Sequence, residues 1–257
     1  MITTLLFDLG GTLHSVSRSE ETRLRFAERV LRMLREQGAE LGVSPHELSE
    51  LLQKNGEIYK HESEETLREL PSVRIWNEYY LREFGVGEDK LTPIAEELSY
   101  WYDCERVVNT PLPRMKETIE TLHGMGLRLG MISNIISTTL VPKVLQEYGV
   151  AQYMECVVMS SGTGIRKPDP AIFRIAMEEL GVTPEETGYV GDTISRDVIG
   201  SRRAGLALSV RIENPSIAHR DAAFIGRPDA PEADFVIRGL DELPAIIRKV
   251  NGLQPEA

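Results

Sequence analysis

Ile2-Thr3-Thr4-Leu5-Leu6-Phe7-Asp8-Leu9-Gly10-Gly11-Thr12-Leu13 is the stretch on which the fold turns. Ile2 to Phe7 is a short apolar and β-branched run, the pattern of a buried strand. Asp8 and the Gly10-Gly11 pair end it. A buried strand that runs straight into a carboxylate and glycines marks the carboxyl edge of a parallel sheet, where α/β proteins place their sites.

Outward from this stretch the chain changes character. Residues 15–107 hold four helical patterns and no convincing strand. In the first, Leu24, Ala27, Leu31 and Leu34 recur three or four apart, and Gly38 ends it. The second opens on Ser44-Pro45-His46-Glu47, a capping box with proline at the first helical position. The third carries Ile75, Trp76, Tyr79, Tyr80 and Phe84, and the fourth opens at Thr92-Pro93 and carries Leu98, Trp101 and Tyr102. Aromatics at helical spacing read as a core of their own, so a bundle is expected.

From Asn109 strands and helices alternate. Strands are expected at Leu127–Ile132, Cys156–Met159, Gly188–Val190, Leu206–Ile212 and Phe235–Ile237. Helices are expected at Leu140–Tyr148, Asp169–Leu180 and Glu242–Val250, the second with Pro170 at its first position and Gly181 at its end. Residues 213–232 are polar, hold three prolines and fit no element. The fold class that follows is α/β: a Rossmann-like parallel sheet core, residues 1–14 and 108–257, with an inserted α-helical domain, residues 15–107.

Composition narrows the function. The 257 residues are 41% hydrophobic and 27% charged, with a net charge of −11, the balance of a soluble globular protein. Such acidity argues against nucleic acid as a partner. No apolar run approaches membrane-spanning length, Met1–Thr4 lacks a secretory pattern, and a cytoplasmic location is expected. Cys104 and Cys156 are too few for a disulfide framework.

Four spots place polar groups just after an expected strand: Asp8 with Gly10-Gly11-Thr12; Ser133-Asn134; Gly164-Ile165-Arg166-Lys167-Pro168-Asp169-Pro170; and Asp192 to Asp197. In a parallel sheet all four meet at one edge. Carboxylates with a backbone oxygen suit Mg²⁺, whereas a lysine, a hydroxyl and loop N–H groups suit a phosphate.

This constellation resembles the haloacid dehalogenase-like (HAD) hydrolase superfamily over the whole chain, with four motifs in order and a helical insertion resembling that family's C1 cap. The resemblance implies a Mg²⁺-dependent phosphatase acting on a small phosphorylated compound. It implies Asp8 as the nucleophile that forms an aspartyl-phosphate. Asp8, the Gly10 carbonyl, Asp192 and Asp197 are the implied metal group, Asp197 either directly or through water. Ser133, Asn134, Lys167, Gly11 and Thr12 are the implied phosphate contacts, with Lys167 also neutralising Asp8.

One position departs from the family pattern. Phosphatases of the family carry an aspartate two residues after the nucleophile, as general acid and base, and this chain has Gly10 there. That loss points to slow or leaving-group-selective turnover, since such catalysis contributes about 10²–10⁴-fold. His14 is the nearest titratable substitute. A phosphate-ligand binder without turnover is the alternative, and a haloacid dehalogenase a weaker one. Oligomeric state and substrate stay open.

Overall fold

The computed structural model describes residues 1–217, 221, 222, 224 and 231–254. Six parallel strands form the main sheet in the order β5-β4-β1-β6-β7-β8. They are β1 (Thr4–Phe7), β4 (Arg128–Ser133), β5 (Met154–Met159), β6 (Thr187–Gly191), β7 (Leu208–Ile212) and β8 (Phe235–Ile237). The sheet is the Rossmann-like α/β arrangement expected.

β1 sits in the middle, and all four of its residues are buried, which is why it reads as a continuous apolar run. Its side chains alternate between two layers. Leu5 and Phe7 pack with Ile119, Leu122 and Leu145 on one face. Leu6 packs with Ile132, Phe173 and Tyr189 on the other. β4 and β6 flank β1, with Phe7 beside Met131 on one side and Val190 on the other. The strand order reverses at β1, so the crevice beyond its carboxyl end is where a ligand site is expected.

The helical segment has its own core. Phe26, Val30, Leu48, Trp76, Tyr80 and Leu98 cluster there, joined by Ile136 from the loop after β4. Local chemistry starts its two long helices. Ser19 accepts from the Thr22 N–H at the start of Glu20–Glu36. Ser44 and Glu47 close a reciprocal box at the start of Pro45–Thr66.

Several sequence expectations need correction. Residues 15–107 are expected to hold no strand, but β2 (His14–Ser17) runs across the first expected boundary and pairs antiparallel with β3 (Val108–Pro111), which begins at the second. These strands are short, polar and largely exposed, so no hydrophobic pattern betrays them. The third helical pattern is a short turn, Ser72–Arg74, continued by a wider π-helical one at Ile75–Tyr80. There Trp76 and Tyr80 lie 4.8 Å apart between ring centres, and the aromatic packing outweighs the backbone's preference for α geometry. The fourth helix begins at Ala95, past Pro93, and the helix Met115–Gly124 carries no expectation at all. Asp169, by contrast, caps its helix as its place before Pro170 leads one to expect, accepting from the Ala171 N–H. Within residues 213–232, Pro215–Ile217 is a 3₁₀ turn, and much of the rest lies outside the described residues.

Candidate active site

Asp8, Ser133, Lys167 and Asp192 converge on one cavity of about 860 Å³, lined on its other side by helical-segment residues such as Tyr59, Tyr80 and Arg106. Each arrives at the end of a strand or from the loop that follows one.

Lys167 is the hub. Its Nζ lies 2.8 Å from Asp8 Oδ1, 2.7 Å from Asp197 Oδ1 and 2.7 Å from the Tyr189 hydroxyl, so all three ammonium hydrogens have partners. It is 2% exposed, and the two carboxylates beside it offset the cost of burying its charge. Asp197 is held as the anion. Although burial pushes its carboxyl up, Lys167, Arg196 and Thr193 bring it below the ordinary value. Its Oδ2 accepts from the Thr193 N–H at 2.9 Å and from the Thr193 hydroxyl.

Burial drives Asp8 above its ordinary value against the pull of Lys167. Burial, then the charges of Asp197 and Asp8, push Asp192 up to about 7. One carboxylate oxygen from each of these three aspartates lies within 4.8 Å of the others. Asp192 Oδ2 accepts from Asn214 Nδ2 at 2.8 Å, but its Oδ1 is buried with no partner. An orphaned carboxylate oxygen beside two further carboxylates is a donor set for a hard divalent cation. Among the three, Asp197 has the most other partners, which favours contact through water or through Lys167 over direct ligation.

The turn after β1 is shaped by Gly11. Its φ is +86°, and a Cβ there would stand 1.8 Å from Asp192 Oδ2. Gly10 differs: a Cβ would meet Val16 at 3.7 Å and His14 Nε2 at 3.9 Å, ordinary contacts. The position can therefore hold a side chain. His14 is 3% exposed, with Nδ1 2.9 Å from the Tyr148 hydroxyl, and burial lowers it to about 4. It is neutral near pH 7 and lines the cavity.

The expected phosphate contacts divide. Ser133 lines the cavity and makes no side-chain hydrogen bond among the described residues. The Asn134 side chain is spent on the Lys167 main chain, donating to its carbonyl at 3.0 Å and accepting from its N–H at 2.8 Å. The Gly11 N–H donates to the His14 carbonyl and the Thr12 N–H to the Leu9 carbonyl, closing the turn. The Thr12 hydroxyl is fully buried and without a partner. Gly11 and Asn134 thus line the cavity with these bonds already made, whereas the Thr12 hydroxyl has none. In this turn the N–H groups of Leu9 and Gly10 have no partner among the described residues, and both residues line the cavity.

Sequence reading also missed supports. Asp221 accepts from the N–H groups of Ile194 at 2.7 Å and Ser195 at 3.1 Å, fixing the turn after Asp192. Buried Glu69, from the helical segment, takes Arg166, Ser160 and Tyr59. The main chain joins there too, Glu69 to Gly164 and Arg166 to Leu67, each at 3.0 Å. This clip pins the helical segment to the residue before Lys167. Asp221 acts on N–H groups 26 and 27 positions away and Glu69 on an arginine 97 positions away, so no local signal in the sequence marks either.

Residues 2–205 match the haloacid dehalogenase-like hydrolase family, and the chain belongs to it. Among similar proteins is a glyceraldehyde 3-phosphate phosphatase from Methanopyrus kandleri, 30% identical over 97% of this chain and 99% of its own. A solved HAD phosphatase from Thermococcus onnurineus is 25% identical with a TM-score of 0.59, over 98% of each chain. A 2-haloacid dehalogenase from Pseudomonas syringae shares the fold, with a TM-score of 0.66 at 24% identity over 97% of this chain and 100% of its own.

Proposed function

We propose that the chain is a Mg²⁺-dependent phosphatase for a small phosphorylated compound, working through an aspartyl-phosphate on Asp8. The carrying observation is the position of Asp8, just past the end of the central strand, bonded to Lys167 and grouped with Asp192 and Asp197 at the cavity. The M. kandleri relative's name and the family match support the same reaction class.

Asp8, Asp192 and the Gly10 carbonyl are the proposed holders of Mg²⁺, with Asp197 behind them. The ion's chemistry there is to offset the charge of the phosphoryl oxygens and the carboxylates together. The chain's own groups do the rest. Lys167 shares its charge between Asp8 and the incoming phosphoryl group. The Ser133 hydroxyl and the N–H groups of Leu9 and Gly10 hold its oxygens. An Asp8 oxygen attacks phosphorus, the bond from phosphorus to the substrate oxygen breaks, and that oxygen leaves with the electron pair. Water then attacks the phosphorus of the acyl phosphate, releasing inorganic phosphate and restoring Asp8. The helical segment, residues 15–107, serves as the cap that limits the substrate to what the cavity holds.

No carboxylate stands at Gly10 to protonate the leaving oxygen, and neutral His14 is no imidazolium donor near pH 7. The enzyme therefore favours leaving groups that depart as stable anions, acyl and aryl phosphates over alkyl ones. The test is phosphate release from acyl, aryl and alkyl phosphates with and without Mg²⁺, with Asp8→Asn as control. Metal-dependent release that vanishes in Asp8→Asn supports the reading. Ligand-induced stabilisation with no release from any member moves the assignment to a binding protein.

A further inference from the structure

We propose that Arg18, Arg23 and Arg106 recognise a second anionic group, a carboxylate or a second phosphate, at the far end of the compound whose phosphoryl group sits at Asp8. The inference rests on the proposed phosphate site at Asp8. It adds what the opposite wall of the cavity selects.

The charge balance is the first observation. The protein carries a net −11, yet the described residues lining the cavity include seven lysines and arginines against five aspartates and glutamates. Three of those cations are held in ion pairs, and a fourth, Arg196, is buried with Asp197, Asp8 and Asp192 as its charged neighbours. Lys167 holds Asp8 and Asp197, Arg166 holds Glu69, and Lys60 lies 3.3 Å from Glu57. Arg18, Arg23 and Arg106 form no ion pair with a carboxylate among the described residues.

Their partners are neutral. Arg23 donates to Gln53 through one terminal nitrogen, and its Nε is buried with no partner. Arg106 donates to the Tyr102 carbonyl at 3.3 Å and stacks 3.7 Å from the centre of the Tyr102 ring. Arg18 makes no hydrogen bond among the described residues. Asp103 and Glu57 are the acids nearest Arg18 and Arg106, and Glu57 is shared with Lys60.

The backbone holds two of these cations together. Ser17 pairs with Val108 in the β2–β3 ribbon, so Arg18, just after β2, and Arg106, just before β3, flank the same end of it. Proximity to Arg106 depresses Arg18 further, after desolvation has done so. Like charges held side by side cost free energy, and an anion between them recovers it. A guanidinium fork matches carboxylate or phosphate oxygens, and the ribbon's end brings two such forks to one side of the cavity.

Non-hydrolysable phosphonates separate this inference from the catalytic one. Calorimetry with Mg²⁺ present would compare ω-phosphonocarboxylates of two to five carbons, α,ω-alkylbisphosphonates and plain alkylphosphonates of matched length. The best anionic-tailed member is expected to bind about ten- to a hundredfold more tightly than its neutral-tailed match. Whichever anionic series wins identifies the second group. In Arg18→Gln/Arg106→Gln that ratio should fall toward one, and Arg106→Lys should keep part of it. Equal binding of anionic and neutral tails by the wild-type protein overturns the inference, whatever the variants do. A preference for anionic tails with no phosphate release from any substrate leaves this recognition standing and removes the proposed catalysis instead.

Discussion

The two walls of the cavity are built on opposite principles. On the sheet wall Lys167 is bonded to Asp8 and Asp197, Asp197 to Thr193, and Asn134 to the Lys167 main chain, and Asp192 alone of the three aspartates keeps a buried oxygen without a partner. On the helical wall Arg18, Arg23 and Arg106 face the same space with no carboxylate in an ion pair among the described residues. Groups that must act in fixed geometry are locked by neighbours, which lowers the reorganisation needed during reaction. Groups that must recognise a ligand keep their hydrogen-bonding capacity for it. The contrast teaches where substitutions should change chemistry and where they should change selection.

Breaking the sheet wall should have the largest effect. Asp8→Asn is expected to lower phosphate release by at least about 10³-fold, measured as kcat/KM on an aryl phosphate. Retained activity in that variant would remove Asp8 from the reaction. Next comes the clip between the walls. Glu69→Ala leaves Arg166 buried without its anion and should cost about 3–5 kcal/mol of stability, read from the midpoint of urea unfolding. A cost under 1 kcal/mol would show that the two halves hold together without it.

Gly10→Asp sharpens the comparison by adding the acid that the sheet wall lacks. The space there accepts a Cβ at ordinary contact distances, so alkyl phosphate turnover should rise by about 10²-fold, with aryl turnover rising less. An equal change for both substrate types would mean that proton supply is not the deficit.

The smallest effect belongs to the helical wall. Burial pushes the Asp103 carboxyl up to about 6 from an ordinary 3.8, against the pull of Arg106. The folded protein thus binds this proton more tightly than the unfolded chain, and stability falls as pH rises from about 4 through about 6. Asp103→Asn cannot ionise and escapes that loss. It should be more stable than the wild type by about 1–2 kcal/mol at pH 7.5, with the gap closing toward pH 4, in parallel thermal melts. A gap that does not change with pH would assign Asp103 a different environment.

Much of the sheet was legible because buried parallel strands announce themselves. β1, β4 and β7 are short apolar runs ended by polar residues, and each strand was placed within about two residues. The β2–β3 ribbon was not legible, since four mostly polar residues pairing with four others about a hundred positions away leave no periodic mark. The residues that meet at Asp8 were readable as a group because chain topology forces strand ends to one edge. Their division of labour was not. Asn134 and Asp192 look equally polar in sequence, yet one is consumed by a main-chain pair and the other keeps a free buried oxygen.

The sequence by itself determined the α/β alternation, the inserted helices and the four polar spots, because each depends on local patterning that strands and helices impose on their own residues. Tertiary structure alone decided which of those polar groups remain available. Hydrogen-bonding capacity is spent on whatever neighbour the fold brings near, as Glu69 reaching Arg166 and Asp221 reaching Ile194 show. It also decided that Arg18 and Arg106, 88 positions apart in the chain, share the end of one ribbon, a proximity fixed by strand register and not by any property of either arginine.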